Sequence, residues 1–304
     1  MGKVLIFSDA HLRFKQIDKI LSWETYDRVI LLGDQWDCYS DTPDLYGDSA
    51  RWVKQKLDDS RFIILLGNHD ARYVWPANDY VFCSGFTRDK SAAIRAVLTQ
   101  DDLLKIRLHW VEPGYNILFT HACITPQLLM ALASQGYEYP EPTNSISAID
   151  TWLNRVWPQI QQRLDVGWGH PLVGCGYDRG GDQQQYGGAT WADFSGHTPL
   201  TGIGQIIGHS VCHGGPLMRL INRNGAPMWR HFNKKGVKIN PRWLKEGWTL
   251  DLDTKNRHYG ILENDTLTIR SVIWTNTEKE YDWVGDIEPG EVMARIHLKE
   301  PQHE

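Results

Sequence analysis

One feature repeats along this chain and limits what it can fold into: a short unbroken apolar run that stops abruptly at a polar cluster. Val4–Phe7, Val29–Leu32 and Ile63–Leu66 contain almost nothing but Val, Ile, Leu and Phe. Such runs, without alternation, are the pattern of strands covered on both faces. Polar stretches with helical period lie between them. Residues 48–59 place Ala50, Val53 and Leu57 on one stripe, and residues 12–25 are long enough for a crossover. Strand, crossover, strand at this spacing predicts a parallel sheet of α/β type.

Further helices are predicted at 88–104, at 126–135, and at 145–164. Thr125 can cap the second of these, with Pro126 at its first position. The third carries Ile146, Ile149, Leu153, Val156, Ile160 and Leu164 on one face, with a kink expected at Pro158. Strands resume at 115–120 and 203–208. Beyond 215 the pattern changes to short strands, among them Leu217–Ile221, Trp248–Leu252 and Leu267–Ile273, which predicts a second sheet packed on the first. Gly-rich residues 167–188 are longer than a plain connection needs, so a functional loop competes with simple disorder there.

With 304 residues the chain needs no disulfide staple to build a core, and 41% hydrophobic content excludes disorder. Its 5 Cys are odd in number and scattered, which fits reduced thiols. The N-terminal apolar run is too short for a signal peptide, and no stretch is long enough to span a bilayer. A cytoplasmic protein without membrane association is expected. A net charge of −5 offers no global field for nucleic acid, so phosphate binding requires a local device.

The strand ends supply one. They read Ser8-Asp9-Ala10-His11, Gly33-Asp34-Gln35-Trp36-Asp37, Gly67-Asn68-His69-Asp70, Thr120-His121 and Gly208-His209-Ser210. In an open α/β sheet, ligands bind at the carboxyl ends of the strands, so these distant clusters should converge. Asp, His and Asn offer oxygen and nitrogen ligands suited to Mn, Fe, Zn or Mg, and the lack of Cys among them argues against a closed structural zinc site. The glycines before Asp34, Asn68 and His209 are expected to permit sharp turns.

In their order and composition these clusters resemble the calcineurin-like metallophosphoesterases, whose motifs read DxH, GDxxD, GNHD, a single His, and GH followed by a small polar residue. The resemblance implies two mixed β-sheets packed face to face and flanked by helices, with an inserted helical and loop region at about 125–205, all in a single domain over 1–304. It implies two divalent cations, Mn2+ foremost and Fe, Zn or Mg as alternatives: Asp9 and His11 on the first, Asp34 bridging, and Asn68, His121 and His209 on the second. His69 would stand beside the substrate phosphate, oriented by Asp70. Two such ions clamp a transferring phosphoryl group and make hydroxide available near neutral pH, while an imidazolium at His69 could protonate the leaving oxygen.

The chain departs from the family in places. Many members carry GHxH, whose second His completes the first metal; that position is Val211 here, and His213 is the next candidate. The GDxVDRG phosphate-gripping Arg is replaced by Cys38 and Tyr39 after Asp37, so another cation should substitute, with Arg72 and Arg179 as candidates. Asp37 itself is expected to brace His11 or backbone. Thr190-Trp191-Ala192-Asp193 and Leu252-Asp253-Thr254 followed by Tyr259-Gly260 resemble stretches of the phosphoprotein phosphatase branch. A basic, aromatic stretch at 230–246 could guide a nucleic-acid strand, against the plainer reading of a solvated hairpin.

The expected activity is hydrolysis of a phosphate monoester, on a phosphoprotein or a small ester. A phosphodiesterase or nuclease, or a dinucleoside polyphosphate hydrolase, is the alternative use of the same centre. Cys38, Cys123 and Cys212 are expected to be packing residues, and Trp36 and Trp191 stand beside motifs.

Overall fold

A computed structural model describes residues 2–37, 43–181, 186–196, 198–221, 226–232, 237, 239, 241–255, 257–274 and 287–299. The strands are β1 (Val4–Phe7), β2 (Arg28–Leu31), β3 (Phe62–Ile64), β4 (His109–Val111), β5 (Ile117–Thr120), β6 (Gly204–Ile207), β7 (Leu217–Ile221), β8 (Pro227–His231), β9 (Trp248–Asp251), β10 (His258–Glu263), β11 (Thr266–Trp274) and β12 (Ile287–His297). The helices are α1 (Phe14–Trp23), α2 (Pro43–Leu57), α3 (Asn68–Val74), α4 (Arg88–Arg95), α5 (Gln100–Leu104), α6 (Pro126–Ser134), α7 (Ile146–Asp165) and α8 (Pro241–Leu244).

The strands form two mixed six-stranded sheets, ordered β12-β11-β10-β1-β2-β3 and β4-β5-β6-β9-β7-β8. The predicted parallel core is present: Val4 to Phe7 pair in register with Arg28 to Leu31, and β2 runs parallel to β3. In the second sheet β5, β6 and β9 are parallel. Both-face burial explains the unbroken apolar runs. Val4 and Ile6 face the second sheet and pack in one core with Ile117, Phe119, Ile206 and Leu250. Leu5 and Phe7 face the other way, into a core shared with Ile17 and Ile20 of α1 and with Ala50 and Val53 of α2.

The expectation that the strands beyond 215 make the second sheet holds only for β7, β8 and β9. β10 instead joins the first sheet, antiparallel to β1 with Val4 opposite Leu262, and β11 and β12 extend that edge. Leu262, Leu267 and Ile269 thereby bury the same kind of apolar face the prediction required, in the same inter-sheet core. The predicted helix at 88–104 is two helices, because Thr99 caps α5 with its hydroxyl and breaks the run. Thr125 and Ser145 cap α6 and α7 as their sequence suggests, and α7 continues through Pro158. The parallel connection from β5 to β6 holds α6, α7 and three short 3-10 turns, so the region expected as an insertion is this crossover. Among the described residues no helix is long and apolar enough to cross a membrane.

Candidate metal centre

β1, β2, β3, β5 and β6 end on one edge of the sandwich, and their polar tips converge there. The tips of β1, β2 and β6 turn sharply off their strands, and the backbone records this: Asp9, His11, Asp34, Asp37 and His209 all have positive φ, between 40° and 74°. Non-glycine residues occupy that region only when surroundings hold them there. Gly33, at φ 108°, supplies the expected glycine turn. The other two expected turn glycines serve proximity instead, since a Cβ on Gly67 or Gly208 would fall 2.0 Å from a carboxylate oxygen of Asp34 or Asp9.

Asp9, Asp34 and His121 are buried and bring their ligating atoms within 4.8 Å of one another. Asn68 Oδ1 lies 2.9 Å from both His121 Nε2 and His209 Nδ1. His11 Nε2 stands 3.7 Å from Asp34 Oδ2, and His121 Nε2 3.4 Å from Asp34 Oδ1. Asp34 therefore sits between two groups of donors. Backbone contacts hold the ligands in place: His69 N–H donates to Asp34 Oδ1 at 2.9 Å, and His209 N–H donates to the Asp9 carboxylate at 3.1 Å.

The donor chemistry fits divalent cations. His121 gives Nδ1–H to the Leu32 carbonyl at 2.9 Å, and His11 gives Nδ1–H to the Asp37 carbonyl at 2.7 Å. Each ring thus turns a bare Nε2 inward, the arrangement that orients a ligating imidazole. Burial, reinforced by His69 and Arg13, pushes His11 down to about 3. Burial with Arg179 lowers His209 to about 3, and burial with His209 lowers His121 well below its ordinary value. These are neutral imidazoles, the form that binds metal. The carboxylates move the other way. Burial, then Asp253 and Asp34, raises Asp9 well above its ordinary value, and burial foremost raises Asp34 to about 8. Crowded acids and neutral imidazoles in one dry place are what a bound cation would relieve.

His69 lies beside this centre, its ring 5.3 Å from that of His11. Its partner is a correction to the expectation. Asp70 makes no hydrogen bond to the His69 ring; its carboxylate accepts backbone N–H bonds from Gln35 (2.8 Å), Trp36 (3.2 Å) and Gly67 (3.0 Å). It ties the β2 and β3 tips together, and its pKa, raised to about 6 by burial, reflects that dry position. The carboxylate that meets the His69 ring is that of Asp37, with Oδ2 3.0 Å from His69 Nδ1. Only its backbone carbonyl braces His11. Although burial opposes the charge, Asp34 and the Asp37 hydrogen bond push His69 up to about 12. Burial likewise opposes charge on Asp37, but hydrogen bonds from His69 and Cys83 hold its carboxyl below the usual range.

The two candidate phosphate-gripping arginines separate. Arg72 turns its guanidinium to the Asn78 carbonyl and to Asp79 Oδ1 (2.8 Å) and lies over the Phe86 ring. Arg179 bonds Asp193 Oδ2 at 2.9 Å and reaches Ser210 Oγ at 3.4 Å, one residue past His209. It lines a cavity of about 360 Å³ together with Ser195, Val211, His213, Trp229 and His231. His213 is exposed on that wall and belongs to neither group of converging ligands.

Trp191 packs its ring 5.7 Å from His209, whereas Trp36 is wholly buried against Tyr73. Cys123 is buried as expected of a packing residue. Arg230 lies over Trp243, while Lys234, Lys235 and Lys238 of the basic stretch fall outside the described residues, as do Cys38 and Tyr39. Sequence reasoning missed Cys83, Lys90 and Tyr46, which surround Asp37, and Asp251, whose buried charge bears on Asp9. None carries a local motif; only the fold brings them to the centre.

A family model described as calcineurin-like phosphoesterase matches residues 2–239. No curated protein matches the chain at a significant level. Among solved structures the chain is similar to a metallophosphoesterase from Sphaerobacter thermophilus, at 14% identity over 86% of this chain and 84% of that one, with TM-score 0.43. It is also similar to a protein serine/threonine phosphatase from Saccharomyces cerevisiae described as similar to human phosphatase PP5, at 11% identity over 95% and 79%, with TM-score 0.36. A predicted phosphoesterase from Streptococcus pneumoniae TIGR4 shares 9% identity over 95% and 97%, with TM-score 0.28.

Proposed function

Because this chain belongs to the calcineurin-like phosphoesterase family, and is thereby a phosphoric ester hydrolase, we propose that it is a two-metal phosphomonoesterase. Asp9 and His11 would hold one divalent cation, Asn68, His121 and His209 the other, and Asp34 both. Bound there, the pair would supply Lewis-acid charge for the phosphate oxygens and a lowered pKa for the attacking water. Mn2+ is the ion we assign first, with Fe, Zn and Mg as alternatives.

The chain's own residues do the rest. Asp37 holds His69 through Nδ1, which leaves Nε2–H to protonate the departing oxygen, a contribution worth roughly 10² to 10⁴ in rate. Arg179, held by Asp193 beside Ser210, would meet a phosphate oxygen that the metals do not, a role its neighbourhood to Ser210, next to His209, supports. Asp70 keeps the tips carrying Asp34 and Asn68 in register. We read the chain as one domain, with residues 125–205 shaping what reaches the centre, in the cytoplasm and away from membranes.

The observation that carries the reading is the His69–Asp37 pair beside the neutral-imidazole and carboxylate cluster. A metal-storing or metal-sensing protein needs the cluster and has no use for the pair. The test is a panel of phosphomonoesters, phosphodiesters and dinucleoside polyphosphates with Mn2+ restored after chelation. Monoesters should give the highest kcat/KM; a preference for diesters by tenfold or more would replace this reading with the diesterase one.

A further inference from the structure

Asp37 divides its two oxygens between two sets of neighbours. Oδ1 takes the Tyr46 hydroxyl at 3.1 Å and the Lys90 ammonium at 3.3 Å. Oδ2 lies 3.0 Å from His69 Nδ1 and 2.7 Å from Cys83 Sγ, and Cys83 Sγ is itself 3.3 Å from His69 Nδ1. A carboxylate oxygen, an imidazole nitrogen and a thiol sulfur thus form a closed triangle, all within 4.8 Å of one another. They come from three separate segments: the β2 tip, the start of α3, and the loop before α4. Cys83 and Asp37 are buried, while His69 keeps a partly open side.

An oxygen, nitrogen and sulfur triad is a donor set suited to a tetrahedral zinc-like ion, and it differs in kind from the hard set of the main centre, which has no sulfur. We infer that Asp37, His69 and Cys83 form a third cation site, selective for zinc-like ions, whose occupation slows the enzyme. Binding releases the Cys83 thiol proton and the proton on His69 Nδ1, and forms bonds from the ion to Sγ, Nδ1 and Oδ2 with no change of oxidation state. The ion then stands where the proton shared by His69 and Asp37 stood. The site therefore rests on the proposed function for its consequence, but not for its existence. Mg2+ and Mn2+, which prefer oxygen, should leave it empty.

The test separates the two. Enzyme loaded with Mn2+ is first assayed on an aryl phosphate, which checks the proposed function by itself. Zn2+ or Co2+ is then added to wild type and to Cys83→Ala and Cys83→Ser, each variant referred to its own rate before addition. Wild type should bind one more ion per chain than either variant, measured by equilibrium dialysis and elemental analysis. With Co2+ it should show a thiolate-to-cobalt charge-transfer band that both variants lack. Zn2+ should lower wild-type kcat by at least tenfold more than it lowers that of Cys83→Ser, which keeps a donor to Asp37 and a similar volume. Equal ion counts and an equal charge-transfer band in wild type and Cys83→Ser would overturn the site. An extra ion with no difference in inhibition would overturn its effect on rate.

Discussion

Replacing Asp37 by Asn tests the pairing that the structure reassigns. The amide keeps the shape of the carboxylate and can still accept from Tyr46 and Lys90 at Oδ1, but it places an NH2 donor where Oδ2 now receives His69 and Cys83. The imidazolium loses its counter-charge and its orienting bond. If His69 is the general acid, the loss approaches the 10² to 10⁴ that such groups supply, about 3–5 kcal/mol of transition-state stabilisation. The size should depend on the leaving group. Phenyl phosphate needs its oxygen protonated and should lose at least roughly 10² in kcat, whereas p-nitrophenyl phosphate, with a stable phenolate, should lose less than about tenfold. Metal content should stay at the wild-type level, because the Asp37 carboxylate is not among the proposed ligands and its backbone carbonyl still holds His11. The assay is steady-state kinetics on both esters, with elemental analysis of the same samples. Equal losses on the two esters, or wild-type kcat on phenyl phosphate, would refute the acid role and the pairing behind it.

Asp70→Asn should behave differently, since one of its amide faces must oppose either the Gly67 N–H or the Gln35 and Trp36 N–H groups. We expect metal affinity to fall about tenfold or more, with kcat recovering to within a few-fold at saturating Mn2+; a loss of kcat at saturation with unchanged affinity would return Asp70 to a direct catalytic role. A second prediction concerns stability. His170 packs against Tyr137 and accepts the Leu172 N–H at Nδ1, and burial lowers its pKa to about 4. Unfolded, it titrates near ~6.5, so between those values the unfolded chain binds more protons and stability falls as pH drops from about 6.5 to about 4. His170→Gln should narrow the stability difference between about pH 7 and about pH 4 by on the order of 2–3 kcal/mol in urea titrations. An unchanged difference would show that this ring is not held neutral.

What was legible in the sequence is what each segment determines locally. Val4–Phe7 followed by Asp9 and His11 states both the buried strand and the polar tip, because a strand covered on both faces is apolar along most of its length and the polar cluster marks where it leaves the sheet. The same holds for Asp34, Asn68, His121 and His209, which do converge. Side-chain partnerships were not legible, because they depend on the direction taken after a positive-φ turn. Asp70 follows His69 directly, yet on α3 its carboxylate points back to the β2 tip, while Asp37, at φ 73°, is turned toward His69 from a distance of 32 residues. Arg72, two residues on, is carried by the same helix toward Asn78 and Asp79. Which sheet β10 joins was equally hidden, since a continuously buried antiparallel strand looks the same beside β1 as beside β9. Edge strands β4 and β8 escaped notice because they are short and half-buried, with little apolar pattern to read.

The central claim is that two cations sit at the strand tips with Asp34 between them. Crystals grown after chelation and soaked in Mn2+, measured at the manganese absorption edge, test it directly. The account predicts two anomalous peaks per chain, one against Asp9 and His11, the other against Asn68, His121 and His209, both in contact with the Asp34 carboxylate, and neither peak in Asp34→Asn. A single peak, or two peaks that persist in Asp34→Asn, would contradict it.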